Sequence, residues 1–171
     1  MPNNQFQSRQ SAYDSEESLL DDVNLRILAE LRDSPRLSMA ELARRVGMSA
    51  PAVTERVQRL QQTGVIAGYR LDIDPAAVGL PVTAFARIRP MPGSLPKIAQ
   101  LAAELPQVTE CYRITGEDCY FMKVYLHSID DLEPILDLFT PHGRTTTSIV
   151  HSAPVPPRPL PVPLTLPLRE G

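Results

Sequence analysis

The sequence predicts an α+β protein: an N-terminal three-helix helix-turn-helix block, a linking strand, and a C-terminal βαββαβ block. Three observations predict it. Apolar residues from Leu20 to Leu60 recur at helical spacing and are interrupted by capping residues and glycines. Strand-like and helix-like segments alternate from Val82 to His151. Polar sequence at one end and proline-rich sequence at the other bracket the two blocks. The expected boundaries are 19–68 for the helical block, 69–81 for a linking strand and hinge, and 82–152 for the βαββαβ block.

Residues 1–18 are rich in Gln, Ser and Asn, have no apolar period, and are expected to be disordered. In the first helix, Leu20, Val23, Ile27, Leu28 and Leu31 share a face. Asp21 is its cap, and Asp33-Ser34-Pro35 stops it. The second helix starts at Ser38, with Glu41 three residues on to complete a capping box. Leu42, Ala43 and Val46 form its inner face, and Gly47 ends it. The third helix starts at Ser49. Pro51 falls in its first turn, where a missing N–H is tolerated. Val53, Val57 and Leu60 point inward and Gly64 terminates.

A β-branched run from Val65 to Ile73 reads as the linking strand. Val82–Arg89 alternates Val/Ala/Ala/Ile against Thr/Phe/Arg/Arg, a strand with one buried face. Leu95–Leu105 is an amphipathic helix. Val108–Thr115 and Cys119–His127 are strands joined at Gly116-Glu117-Asp118. Asp130–Phe139 is a second helix, capped by Ser128 or Asp130, and Thr145–His151 is the last strand. This βαββαβ order is the ferredoxin-like pattern. Both helices then cover one sheet face. The bare, apolar face calls for a partner, most simply a second copy. Residues 153–171 hold seven of the eighteen prolines and read as an extended tail.

The chain is acidic overall, with a net charge of −3. Residues 36–70 nevertheless carry six Arg against two Glu. A basic island in an acidic protein, lying over a helix-turn-helix, points to double-stranded DNA. Residues Ala50 to Gln58 open the third helix and would enter the major groove. Thr54 and Gln58 suit base edges, Pro51 and Ala52 suit thymine methyls, and Glu55 shares their face. Arg44, Arg45, Arg56 and Arg59 suit phosphates, as does Ser49 at the helix N-terminus. Four such arginines per protomer give a dimer a slope of about seven in log affinity against log salt. A solvated charged face, or a protein-interaction module, is the plainer alternative.

If the hairpin centres on Glu117, Cys111 lies opposite Lys123 and Cys119 opposite Thr115, so no disulfide joins them. Two cysteines and three scattered histidines give no metal-ligand spacing, and no cofactor is expected. No apolar run approaches the roughly 18 residues of a membrane span, and the N-terminus lacks a signal-peptide core. A cytoplasmic protein is expected.

The segments LDDVNLRILAELRDSPRLS, ELARRVGMSAPAVTERVQRLQQTGVIAGY, LDIDPAAVGLPV, ITGEDCYFMKV and TTTSIV resemble the Lrp/AsnC, or feast/famine, family of transcription regulators. The resemblance covers roughly Leu20 to Ser152. Asn24 departs from it, since the family commonly has a second Asp there. The resemblance implies an AsnC-type DNA-binding domain and a C-terminal effector and assembly domain. It also implies dimers that assemble further, often to octamers, and an amino-acid effector bound near the contact between dimers. The effector loop then falls on Thr115, Gly116, Glu117 and Asp118, with Cys119 and Tyr120 beside it. The residue chemistry is compatible. Gly116 allows close backbone approach, Asp118 can accept from an ammonium, and turn N–H groups can hold a carboxylate. A simple turn explains Gly116 and Asp118 equally well. Two alternatives remain at this point. One is a siroheme-decarboxylase-like enzyme, although His127, His142 and His151 form no evident cluster. The other is a metabolite-sensing assembly module that does not bind DNA.

Overall fold

The computed structural model describes residues 19–163. The expectation for 1–18, and the end of the proline-rich tail, lie outside the described residues. The described residues divide into two compact units, 19–70 with 157–163, and Leu71–Pro156.

The first unit is built on three helices, α1 (Asp22–Asp33), α2 (Met39–Val46) and α3 (Ala50–Gln62). Each begins where a side chain satisfies an orphan backbone donor. Asp21 accepts from Asn24 N at 2.7 Å, Ser38 from Glu41 N at 3.2 Å, and Ser49 from Ala52 N at 3.4 Å. The second cap differs from expectation in one respect. Glu41 does not return its carboxylate to the Ser38 N–H. Its oxygens accept from Arg44 and Arg45, and these charge-assisted bonds displace the box. Gly47 closes α2 in the left-handed conformation at φ 72°, a geometry that a side chain would strain. The turn brings Leu42, Ala43 and Val46 against Val53, Val57 and Leu60, with Leu19, Ile27 and Leu31 completing a buried core.

No strand forms across Val65–Ile73. The stretch after α3 contains a one-turn 3-10 helix, Ala76–Val78, and no sheet pairing. The residues have strand propensity, but a ladder needs a second strand, and among the described residues none lies beside it. Tyr69, Leu71 and Ile73 are exposed at alternate positions, Leu71 by 84%.

The second unit is a four-stranded antiparallel sheet in the order β2-β3-β1-β4. Its elements in chain order are β1 (Val82–Pro90), α4 (Leu95–Glu104), β2 (Val108–Arg113), β3 (Tyr120–Leu126), α5 (Leu132–Phe139) and β4 (Gly143–Ile149). A 3-10 turn, Ile129–Asp131, precedes α5, and Ser128 and Asp131 form its capping box. The period-2 pattern decides the faces. Ala84, Ala86 and Ile88 of β1, and Tyr120, Met122, Val124 and Leu126 of β3, are buried with Ile98, Ile135 and Phe139 of the helices. Gly143 lets β4 approach: a Cβ there would lie 2.6 Å from the Arg89 carbonyl oxygen.

The β2–β3 register is one residue away from the sequence expectation. Cys111 faces Met122, not Lys123, and Ile114 N bonds to Cys119 O at 2.9 Å. The loop Ile114–Cys119 has an even number of residues, so it does not centre on Glu117. Both cysteines are free thiols. The sheet face away from the helices also departs from expectation, being aromatic and charged, not uniformly apolar. Phe85 and Phe121 stack with centroids 5.0 Å apart. Lys123 sits 5.1 Å over the Tyr125 ring and 3.4 Å from Glu110.

Residues 153–163 have no helix or strand, and all but Val162 are exposed. The described part of this tail, 157–163, groups with the first unit.

Candidate functional site

The outer face of α3 follows from its core. With Val53, Val57 and Leu60 buried, Pro51, Glu55, Gln58 and Arg59 are left exposed, and Ala50, Ala52, Thr54 and Arg56 sit at the margins. The side chains of Gln58 and Arg59 make no hydrogen bond or ion pair among the described residues, so their donors are available to a ligand. Thr54 is partly committed: its hydroxyl donates to Ala50 O at 2.8 Å. Ser49 is exposed, but its oxygen already caps α3.

The arginines differ in their partners. Arg44 chelates Glu41, with Nε and Nη2 contacts of 2.7 to 3.0 Å. Arg45 bridges Glu41 and Glu30 at 2.9 Å each. These two guanidiniums, through their hydrogen bonds, hold the Glu41 carboxyl below its ordinary range. Arg56 donates through Nη1 to Asp21 Oδ2 at 2.7 Å and to Asn24 Oδ1 at 3.0 Å. Partial burial alone would push Asp21 up. The Arg56 hydrogen bond and charge, with backbone donors at Asn24 and Val23, outweigh it and lower that carboxyl. Leu19, Asp21 and Asn24 line a shallow groove with Ala52, Glu55, Arg56 and Arg59, which joins the start of α1 to the outer face of α3.

In the second unit, the loop between β2 and β3 holds Thr115, Gly116, Glu117, Asp118 and Cys119. Gly116 has φ 108°, a conformation that favours glycine. The loop carboxylates are not idle. Arg89 reaches Glu117 at 2.9 Å, and Arg87 lies 3.9 Å from Asp118. Sequence reasoning missed both arginines. The signal was present, since both fall on the open face of β1, the neighbour of β3. Tyr120 stands apart from the loop: it is buried, and its hydroxyl donates to Leu95 O at 2.9 Å. Cys119 is partly buried against the sheet core.

Two domain families match the two units. Residues 20–67 match a winged helix-turn-helix DNA-binding domain, and residues 83–160 match the Lrp/AsnC ligand binding domain. The HTH-type transcriptional regulator LrpC of Bacillus subtilis is 35% identical over 133 residues, which span 78% of this chain and 92% of that protein. The chain belongs to the Lrp/AsnC family. Its Lrp/AsnC relatives include the regulatory protein AsnC of Escherichia coli K12, 35% identical over 71% of this chain and 80% of AsnC. The feast or famine regulatory protein Rv3291c of M. tuberculosis, solved with L-methionine, superposes with a TM-score of 0.77 at 35% identity. That match covers 84% of this chain and 99% of the other. An Lrp/AsnC protein is a transcriptional regulator with a DNA-binding and a ligand-binding domain, and the enzymatic alternative falls with that membership. Among the described residues, no helix is long and apolar enough to cross a membrane.

Proposed function

We propose that this regulator binds a pseudo-palindromic duplex as a homodimer, in the cytoplasm, and responds to a free α-amino acid. The half-sites would lie about one helical turn apart. The observation that carries the DNA reading is the outer face of α3. Capped at Ser49 and set by the Gly47 turn, it presents Pro51, Glu55, Gln58 and Arg59 without core contacts. In this reading Ala50, Pro51 and Ala52 approach thymine methyls, while Thr54, Glu55 and Gln58 meet base edges. Arg59, together with Arg44 and Arg45 once they leave Glu41, meets phosphates.

The amino-acid reading is supported by the methionine complex of Rv3291c and by the charge pattern of the loop from Thr115 to Asp118. Glu117 and Asp118 can take an ammonium, and turn N–H groups near Gly116 a carboxylate. Self-association is supported by the open sheet face and by the alternating Tyr69, Leu71 and Ile73, which are exposed and have no strand partner among the described residues. The segment 69–81 then acts as the hinge, and dimers assemble further, up to an octamer. The effector acts by binding one arrangement better than another.

The test is fluorescence anisotropy on the duplex flanking the protein's own gene, with a panel of amino acids. Specific, salt-sensitive binding that one amino acid shifts is the expected result. Binding no tighter than to unrelated duplex, with every amino acid tried, sinks the proposal. Arg59→Gln should weaken DNA binding while light-scattering mass is unchanged. Loss of both would make the effect structural.

A further inference from the structure

We infer that Arg56, despite its place on the DNA-reading helix, clamps no phosphate and instead positions α3 by fixing it to the start of α1. The inference rests on the DNA-binding reading of α3 above and refines it. Its basis is a closed hydrogen-bonded cage. Asp21 uses Oδ1 to cap α1 at Asn24 N, 2.7 Å away, and Oδ2 to accept from Arg56 at 2.7 Å. Asn24 is the one buried polar residue among the described residues. Its amide donates to Leu19 O at 2.7 Å and accepts from Arg56 at 3.0 Å. One guanidinium nitrogen therefore joins two helices across 35 residues of sequence.

The contrast with the other arginines is energetic. Arg44 pairs only within α2, at three residues' spacing and with a side chain 77% exposed, and Arg45, although it also crosses to Glu30 of α1, has no buried partner. Such pairs are weak, so the phosphates of a duplex can replace them. Arg56 cannot leave its cage on the same terms. Its departure would leave the side-chain oxygen of the buried Asn24 without its protein donor and Asp21 with half its partners. Staying, it fixes the angle at which Glu55, Gln58 and Arg59 project. Base reading tolerates only about 0.5 Å of misplacement, so a cross-helix anchor beside those side chains governs specificity. Excluding Arg56 leaves three arginines per protomer and lowers the expected salt slope of a dimer to about five.

Opposite signs test this. Asp21→Ser keeps a capping oxygen for α1 but is too short to reach Arg56. If Arg56 clamps phosphate, the variant frees it and removes a nearby negative charge, and DNA binding tightens. If Arg56 positions α3, affinity for the duplex flanking the gene falls about tenfold. Affinity for an unrelated duplex of the same length holds, because phosphate contacts there need no register. Both are measured on the full chain below its melting temperature, where a purely structural loss would not change the ratio of the two affinities. Arg56→Met gives a second reading through the salt series. A positioning role leaves the slope unchanged, whereas a phosphate clamp lowers it by about 1.8 per dimer. Arg59→Gln should show that loss of about 1.8, and its failure to do so would indict the assigned DNA face while leaving the Asp21→Ser comparison decisive. Tighter specific binding by Asp21→Ser, or a reduced slope in Arg56→Met, overturns the inference.

Discussion

The two units use the same residue types to opposite ends. In the helical unit, charges are spent internally: Glu41 holds Arg44 and Arg45, and Asp21 holds Arg56. Its apolar residues are enclosed by three helices, and the surface proposed to meet DNA is one face of α3. In the sheet unit, only the helix-covered side is enclosed. The other presents the Phe85–Phe121 stack among Arg87, Arg89 and Lys123, and the loop beside it carries the acids. Among the described residues, the helical unit thus encloses its apolar core, whereas the sheet unit leaves one face and the residues before β1 exposed. A reader and a sensor can be separated this way because each unit has its own buried core.

The hardest test of that separation is Phe139→Ala. Phe139 is fully buried beneath the sheet, so its truncation should destabilise the second unit by about 3–5 kcal/mol. Scanning calorimetry should then show the sheet transition moving down while the helical one stays. Two transitions shifting together would break the comparison. Gly143→Ala is the next in size. A methyl 2.6 Å from the Arg89 carbonyl must push β4 away from β1, at a cost of about 1–3 kcal/mol. Denaturant melts should place the loss in the second unit only.

The smallest effect concerns pH. Asp21 has a folded-state pKa below its ordinary value. Its contribution is present above the ordinary carboxylate range and is lost as pH falls through the folded value. Being partly exposed, it should amount to less than about 1 kcal/mol. Acid titration of the melting temperature should therefore be shallower for Asp21→Ser than for the parent. An equal acid slope in both would remove Asp21 from the cage's energetics.

What the sequence disclosed follows the range of the interaction. Caps at Asp21, Ser38 and Ser49 and the Gly47 turn are set by residues within about one turn, so they were readable. Burial alternation in β1 was readable for the same reason. The β2–β3 register was missed by one because it depends on the conformation of the six-residue loop. A strand was expected at Val65–Ile73 and does not form, because pairing requires a neighbour that none of the described residues supplies. The bond between Arg56 and Asp21 was not readable, because the two residues become neighbours only after folding. The Glu41 clasp could have been read: it precedes Arg44 and Arg45 by three and four residues, the spacing at which helix side chains meet.

That clasp has a consequence for which anions this surface will notice. A carboxylate tethered to the same helix confronts its guanidiniums at an effective concentration of the order of millimolar or above. Free phosphate or chloride must compete with it one ion at a time and gains little by winning. A duplex brings a row of phosphates on one scaffold, so each exchange makes the next one local. If the proposed DNA reading of this surface holds, Glu41 would thus leave the two arginines more responsive to a row of phosphates than to a single dissolved anion.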